Sequence, residues 1–333
     1  MKDYPFPRSA SKAEKYRQLL RVAGQEDVLG ILIDAGPDSM ASALALKRLF
    51  WRKVRRTIIY HMNTIRQAES LAFTKLLKLD QQRVSDTKQT NVTKWAIVGS
   101  QPHHNKDFMN YQFDIIIDHH PLDPATKGRF VDIQEAYGAN STIMTEYIRA
   151  AKIRPSPKLA TALFYGIKKR TDNFVRKSLS NDINALRYLH QFANMNIIKK
   201  IEASNITKNA LAIYRVAMER LTFFNDIAFT HLGNISNPDI LAAIADFFMK
   251  LVEVTLSVVS GVYHKRLIVV FRNASFRRDA GKLAQKVFGG LGGFAGGQKG
   301  AARAEVPLNR VPDELKNQPS LGAYVLKKIQ EAS

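Results

Sequence analysis

The chain holds 333 residues, carries a formal net charge of +21 and contains no cysteine. That length is ordinary for two domains, and the missing cysteine excludes disulfides, thiolate metal sites and cysteine nucleophiles. With 45% hydrophobic and 24% charged residues the composition is that of packed domains and not of a disordered chain. No apolar run nears the roughly 20 residues that span a bilayer. The first residues lack the apolar stretch of a secretory leader, so the expectation is a cytoplasmic protein without membrane contact. So large a positive surplus concentrates polyanions around the protein. Nucleotides or short single-stranded nucleic acid are the expected partners, and a homo-oligomer is compatible with the sequence. Lys and Arg are spread over 47–56, 168–177 and 265–278 and do not form a tail.

In chain order, residues 28–33 form a short, β-branched apolar run that predicts a buried strand. Residues 39–50 carry apolar side chains at helical spacing just after Pro37 and Asp38, both favourable at a helix start. A second strand is predicted at 57–60 and a helix at 65–77. Strands follow at 95–98 and 113–117, then helices at 141–151 and 157–167. Such units, with nearly all-apolar strands, imply a doubly wound parallel sheet covered on both faces. Ligands of these sheets bind at the carboxyl ends of the strands. Residues 182–215 read as a helical connection. Beyond it, strands are predicted at 227–232, 254–263 and 266–271, the last two joined by a tight His264–Lys265 turn, with helices at 239–250 and 279–288. A glycine-rich stretch covers 289–308, too short and too apolar for a disordered linker. The expected organisation is α/β in two parts: a larger domain at 1–190 with an N-terminal extension, a helical linker at 191–215, and a smaller α/β domain at 216–333.

The string FDIIIDHHP runs a buried strand into Asp118, His119 and His120. A carboxylate and two imidazoles at the ligand edge suit Mn²⁺ or Zn²⁺ chemistry. Three further segments share that edge: ILIDAGPDSMASALALKRLF, KWAIVGSQPHHN and YGIKKRTDNF, while GFAGGQKGAA lies near the end of the chain. Together they resemble the four motifs of DHH phosphoesterases and the glycine-rich signature of the DHH-associated C-terminal domain, over about 28–308. In layout the chain is similar to the nanoRNase and 3′-phosphoadenosine-5′-phosphate phosphatase branch, related to RecJ exonucleases. The resemblance implies two Mn²⁺ ions activating a water against a phosphoester.

Carried over position by position, however, the resemblance implies ligands that this chain has mostly exchanged. The first motif's histidine and two aspartates fall on Asp34, Asp38 and Met40. The second motif's bridging aspartate falls on Gly99, and the fourth motif's aspartate on Arg170. The triplet keeps His119 as a metal ligand and His120 facing the scissile phosphate, so Asp38, Asp118, His119 and His120 are the candidate catalytic set. Glycine offers no side chain, a thioether is a poor ligand for a hard ion, and a guanidinium puts positive charge where metal belongs. No metal cofactor is therefore expected. The alternative is one ion, Mn²⁺, held by Asp34, Asp38 and His119 in an active phosphoesterase. Asp172, His103 and His104 read as solvated loop residues. Without metals, Asp34, Asp38 and Asp118 become neighbouring carboxylates, which is costly, and Arg170 is expected to hold them together bidentately.

In the C-terminal signature the family's Gly-Gly-His falls on Gly296, Gly297 and Gln298. Bare backbone amides there can cradle an anion, with Arg272, Lys299 and Arg303 adding phosphate contacts; with Arg170 these form the candidate substrate-binding set. The functional expectation is binding of nucleotides or short single-stranded oligonucleotides in an inter-domain cleft, with hydrolysis lost or much reduced.

Overall fold

A computed structural model of the chain describes residues 9–86, 91–174, 179–204, 206–312 and 318–332. The end of the basic run at 168–177 lies outside the described residues. The chain divides into two compact units, Met1–Ser204 and Asn205–Ser333.

The first unit opens with α1 (Ser9–Leu20), β1 (Val28–Ile33), α2 (Pro37–Leu49), β2 (Arg56–His61), α3 (Ala68–Leu76) and β3 (Gln82–Arg83). It continues through β4 (Lys94–Val98), β5 (Ile115–Asp118), β6 (Phe130–Ile133), α4 (Asn140–Ala150), α5 (Pro157–Arg170), α6 (Ser180–His190) and α7 (Met195–Glu202). Its strands form one sheet in the order β3-β2-β1-β4-β5-β6, with every pairing parallel. The continuous apolar runs exist because the central strands are covered on both faces: every residue of β1 and β5 is buried. On one face Ile31, Ile33, Ile115 and Ile117 meet helix residues such as Ala41, Ala45, Ile143 and Leu163. Each large aliphatic side chain buried in this way contributes roughly 1.5–3 kcal/mol. Leu32, Ile97 and Ile116 face the other way, where Tyr60, Phe108 and Phe113 cover them from short turns and strand ends. The strands at β3 and β6, two and four residues long, carry no readable period. Helix α7 packs Ile198 and Ile201 into the first core.

The second unit contains α8 (Leu211–Glu219), β7 (Thr222–Phe224), β8 (Ile227–Asn234), α9 (Asp239–Phe248), β9 (Leu256–Tyr263) and β10 (Arg266–Asn273). It ends with α10 (Ala280–Phe288), β11 (Phe294–Gln298), β12 (Ala301–Pro307) and α11 (Gln318–Ala332). The sheet runs β11-β12-β10-β9-β8-β7, antiparallel except for β8 beside β9. His264 and Lys265 make the β9–β10 turn, both with positive φ (45° and 60°), as a two-residue turn matched to strand twist requires. The glycine-rich stretch is a β11–β12 hairpin. A Cβ on Gly297, whose φ is +154°, would lie 2.4 Å from the Ala301 carbonyl oxygen, so glycine is what lets this hairpin close. No described helix is long and apolar enough to cross a membrane.

One buried group makes the second unit sensitive to acid. His231 on β8 is buried and its Nδ1 bonds Ser260 Oγ at 2.9 Å, while Nε2 has no partner among the described residues. Burial, helped by the charge of Arg220, pushes its imidazole down to about 4. Folding therefore excludes a proton that the unfolded chain binds below about pH 6.5. That stability is fully present above 6.5 and is lost as pH falls toward 4, by about 3 kcal/mol in all. His231→Gln should flatten this part of the pH dependence of the urea midpoint; an unchanged slope would show that His231 is not the group responsible.

Candidate functional site

The order β3-β2-β1-β4-β5-β6 reverses direction between β1 and β4, the place where such sheets open a crevice at their carboxyl ends. Asp34 follows β1, Gly99 follows β4, and Asp118 ends β5. The sequence motifs converge here because each sits at the end of a neighbouring central strand.

Asp38 reaches the edge but is turned to another use. The N-cap residue before helix α4 is Ala139, which has no capping side chain. The Asp38 carboxylate caps it instead: the backbone amides of Asn140 and Ser141 donate to its two oxygens at 2.9 and 2.7 Å. A carboxylate there satisfies orphan amides and meets the positive end of the helix dipole. Met40 is buried, and its Sδ accepts from Thr74 Oγ1 and Gln81 Nε2 at 3.5 and 3.3 Å. Asp34 is exposed, and its backbone carbonyl accepts from Ser39 Oγ at 2.5 Å.

Gly99 has a left-handed backbone (φ +73°), and a Cβ on it would lie 3.2 Å from Ser39 Cβ. The position therefore favours glycine on two counts. Gly99→Asp is expected to lower stability by about 1–3 kcal/mol without creating a working ligand. Thermal melting with and without Mn²⁺ checks this: the midpoint should fall and stay low. A midpoint raised by Mn²⁺ would mean that a metal site had been restored.

The remaining residues form one chain of hydrogen bonds. Asp118 is buried, and its carboxylate accepts from Gln101 Nε2 at 2.9 Å and pairs with His120 Nδ1 at 2.8 Å. Burial alone would raise the Asp118 carboxyl, but the bonds from His120 and Gln101 outweigh it and hold it below the usual carboxylate range. Arg170, the last residue of α5, donates from Nε to His119 Nε2 at 2.9 Å and from Nη2 to His120 Nε2 at 2.5 Å. Arg170 therefore lies against the two imidazoles and not across Asp34, Asp38 and Asp118, which corrects the expected carboxylate clamp. The Asp38 oxygens are taken up by the α4 amides and those of Asp118 by His120 and Gln101, so neither carboxylate turns to the guanidinium.

An imidazole that accepts at Nε2 is neutral and carries its proton on Nδ1. Burial accordingly pushes His119 below its usual range, with Arg170 and His120 lowering it further against the upward pull of Asp38 and Asp118. His119 Nδ1 is buried and has no hydrogen-bond partner among the described residues.

These residues do not fit the two-metal centre that the resemblance implies. The oxygens of Asp38 are held by backbone amides, Met40 and Gly99 offer no ligand, and both histidine Nε2 atoms face a guanidinium. Among the described residues, the three metal-type donors found at ligand spacing are His104, Asp118 and His120, within 4.8 Å of one another. His104 was expected to be a solvated loop residue. It is exposed, but its ring packs edge-on against His120 at 5.3 Å and its Nδ1 accepts from the Gln101 amide at 3.2 Å. Gln101 was not singled out from sequence at all. It is fully buried and braces the site: besides Asp118, its side chain bonds the Pro121 carbonyl, the Asp123 amide and Thr126 Oγ1.

In the second unit the candidate residues gather around the β11–β12 hairpin. Gly296 and Gly297 lie on β11, and Gln298 and Lys299 are exposed at its tip. Register places Arg303 opposite Gly296, but its guanidinium turns to Glu305 at 2.8 Å. Arg272 bonds Asp246 on α9 at 2.6 Å. The two arginines thus have acidic partners, and Lys299 has no ion pair among the described residues.

No family model matches the chain. A curated protein of undefined function from Methanocaldococcus jannaschii, MJ1633, is 32% identical over 277 residues, covering 83% of this chain and 57% of its own length. The chain thus spans a little over half of that relative. Among solved structures, an exopolyphosphatase-related protein from Bacteroides fragilis has the same fold, with a TM-score of 0.62 over 97% of this chain and 96% of its own, at 13% identity. A putative family II inorganic pyrophosphatase of Methanococcus jannaschii gives a TM-score of 0.45 at 14% identity, over 90% and 99% of the two chains. The class defined by fold is therefore that of the Bacteroides protein: a six-stranded parallel α/β unit followed by a unit on a second six-stranded sheet.

Proposed function

We propose that the chain is a degenerate DHH-type phosphoesterase. It binds nucleotides or short single-stranded oligonucleotides at the carboxyl edge of the parallel sheet and has lost hydrolysis. The observation that carries this reading is Arg170, whose guanidinium donates to both histidines of the triplet. It supplies one permanent positive charge where the resemblance would put metal, and a guanidinium recognises a phosphate by forked hydrogen bonds. Asp118 orients His120, whose ring lies beside that of His104. The guanidinium N–H groups that do not face His119 and His120 are left for the phosphate. The likeness to an exopolyphosphatase-related fold supports phosphate as the group recognised.

A second reading rests on His104, Asp118 and His120: a single ion held there in an active phosphoesterase. Both His120 nitrogens are already engaged, by Asp118 and Arg170, so an ion would have to displace one of them. Incubating the protein with a 5′-phosphorylated dinucleotide and Mn²⁺, alongside elemental analysis, separates the two. The first reading expects no mononucleotide product and no stoichiometric metal; turnover dependent on Mn²⁺ would establish the second.

A further inference from the structure

The strand-end site leaves unused a dense run of positive charge at the opposite end of the same sheet. Residues 47–56, KRLFWRKVRR, contain six cations and no acid. They span the end of α2, the turn after it and the start of β2. Arg56 pairs with Val28 at the entry of β1, so the run lies a six-residue strand away from Asp34, on the order of 20 Å. Lys47 meets Asp80 at 3.4 Å, but Arg48, Arg52, Lys53, Arg55 and Arg56 have no ion pair among the described residues. Lys158 joins the group by donating to the Lys78 carbonyl. Burial, and the charges of Lys47 and Lys78 against Asp80, push its ammonium below the usual range. Positive charge is therefore crowded here, and Asp80 offsets only part of it.

Two further features give the patch a shape. A cavity of about 410 Å³ opens at it, with Phe50, Val54 and Ile59 as apolar lining, Lys47, Arg52, Arg55 and Arg56 as cations and Asp80 as the acid among its polar lining. Pockets that take small organic groups run roughly 300–1,000 Å³. Trp51 lines the same cavity with 60% of its surface exposed, whereas the chain's other tryptophan, Trp95, packs between Tyr60 and Tyr111. Arg52 takes the left-handed backbone (φ 60°) at this turn, where glycine is the usual residue. A cation is kept at a conformational cost.

We propose that the 47–56 turn is a second nucleic-acid surface, on which Trp51 stacks an unpaired base beside the cavity while Arg52, Arg55 and Arg56 hold the flanking phosphates of a single strand. A bare stacking ring beside backbone cations is how single strands are held without sequence reading. A duplex, whose bases are already stacked, would use the cations alone. The surface is independent of Arg170, so the two sites can fail separately.

The test uses the full chain and a polythymidine oligonucleotide of about 12 nucleotides, within the span that such surfaces cover. Binding should quench tryptophan fluorescence, and Trp51→Phe should abolish the quenching while leaving Trp95 emission. Joint replacement of Arg52, Arg55 and Arg56 by Glu should weaken the oligonucleotide at least tenfold. Because phosphate contacts carry the salt dependence, it should also make the slope of affinity against salt shallower by about 2. The same variant should bind a 5′-phosphorylated dinucleotide at the Arg170 site as the native chain does. Unchanged oligonucleotide affinity in the variant overturns the proposal. So does quenching that survives Trp51→Phe, or loss of binding to phosphatidylserine vesicles without loss of the oligonucleotide.

Discussion

Asp38→Ala is expected to destabilise the first unit by about 3 kcal/mol, because it strips the acceptor from two buried amides at the start of α4. The donors, Asn140 N and Ser141 N, have no substitute side chain at the cap, which is Ala139. The surrounding packing is too close for easy relaxation: a Cβ on Gly166 of α5 would lie 3.2 Å from Asp38 Cα. In a unit of this size the loss corresponds to a fall of roughly 6–12 °C in the melting midpoint. The sign is what matters. If Asp38 were held ready for a metal, its removal in chelator would leave stability unchanged or raise it, since an uncompensated carboxylate would vanish. Melting of Asp38→Ala and the native chain in EDTA distinguishes a helix cap from an idle ligand. Asp38→Asn, which keeps one acceptor and loses the charge, should fall between them.

Arg170→Ala should act in the opposite pattern, with little change in stability and a large change in binding. Its partners are two imidazoles, one of them kept neutral by burial. A half-buried guanidinium on such partners contributes about 1 kcal/mol. A phosphate on the same guanidinium gains a charge-assisted, forked contact, and losing it should weaken a 5′-phosphorylated dinucleotide by about 10- to 100-fold. Arg170→Lys keeps the charge but not the fork and should recover only part of the affinity. A drop in melting midpoint as large as that of Asp38→Ala, with affinity intact, would make Arg170 a structural residue and dissolve the proposed role.

The parallel sheet was legible because its strands are buried on both faces and therefore read as unbroken apolar runs. Val28–Ile33 is the clearest case. The β11–β12 hairpin was not, since glycine carries neither hydrophobic period nor strand preference, and close backbone approach at Gly297 shows only in three dimensions. At the site, the meeting of Asp118, His119, His120 and Arg170 followed from motif positions, but the partners within it did not. Asp38 bonds amides 102 and 103 residues away, a pairing no local pattern encodes. Once the Asp38 oxygens are held there, they are no longer open to a guanidinium clamp. The histidines become its neighbours. Gln101 and His104 stood in a motif already singled out, QPHHN; the signal was a buried amide ahead of a short turn, which only packing reveals.

On this reading Arg170 takes over the binding of phosphate at the site, but not the activation of water that metal supplies in the proteins whose motifs the chain resembles. Calorimetric titration of a 5′-phosphorylated dinucleotide into the native chain, once in EDTA and once in excess Mn²⁺, tests it most directly. The same dissociation constant is expected in both buffers, with no heat of turnover. Binding that appears only with Mn²⁺, or a continuing heat from hydrolysis once Mn²⁺ is present, would contradict it.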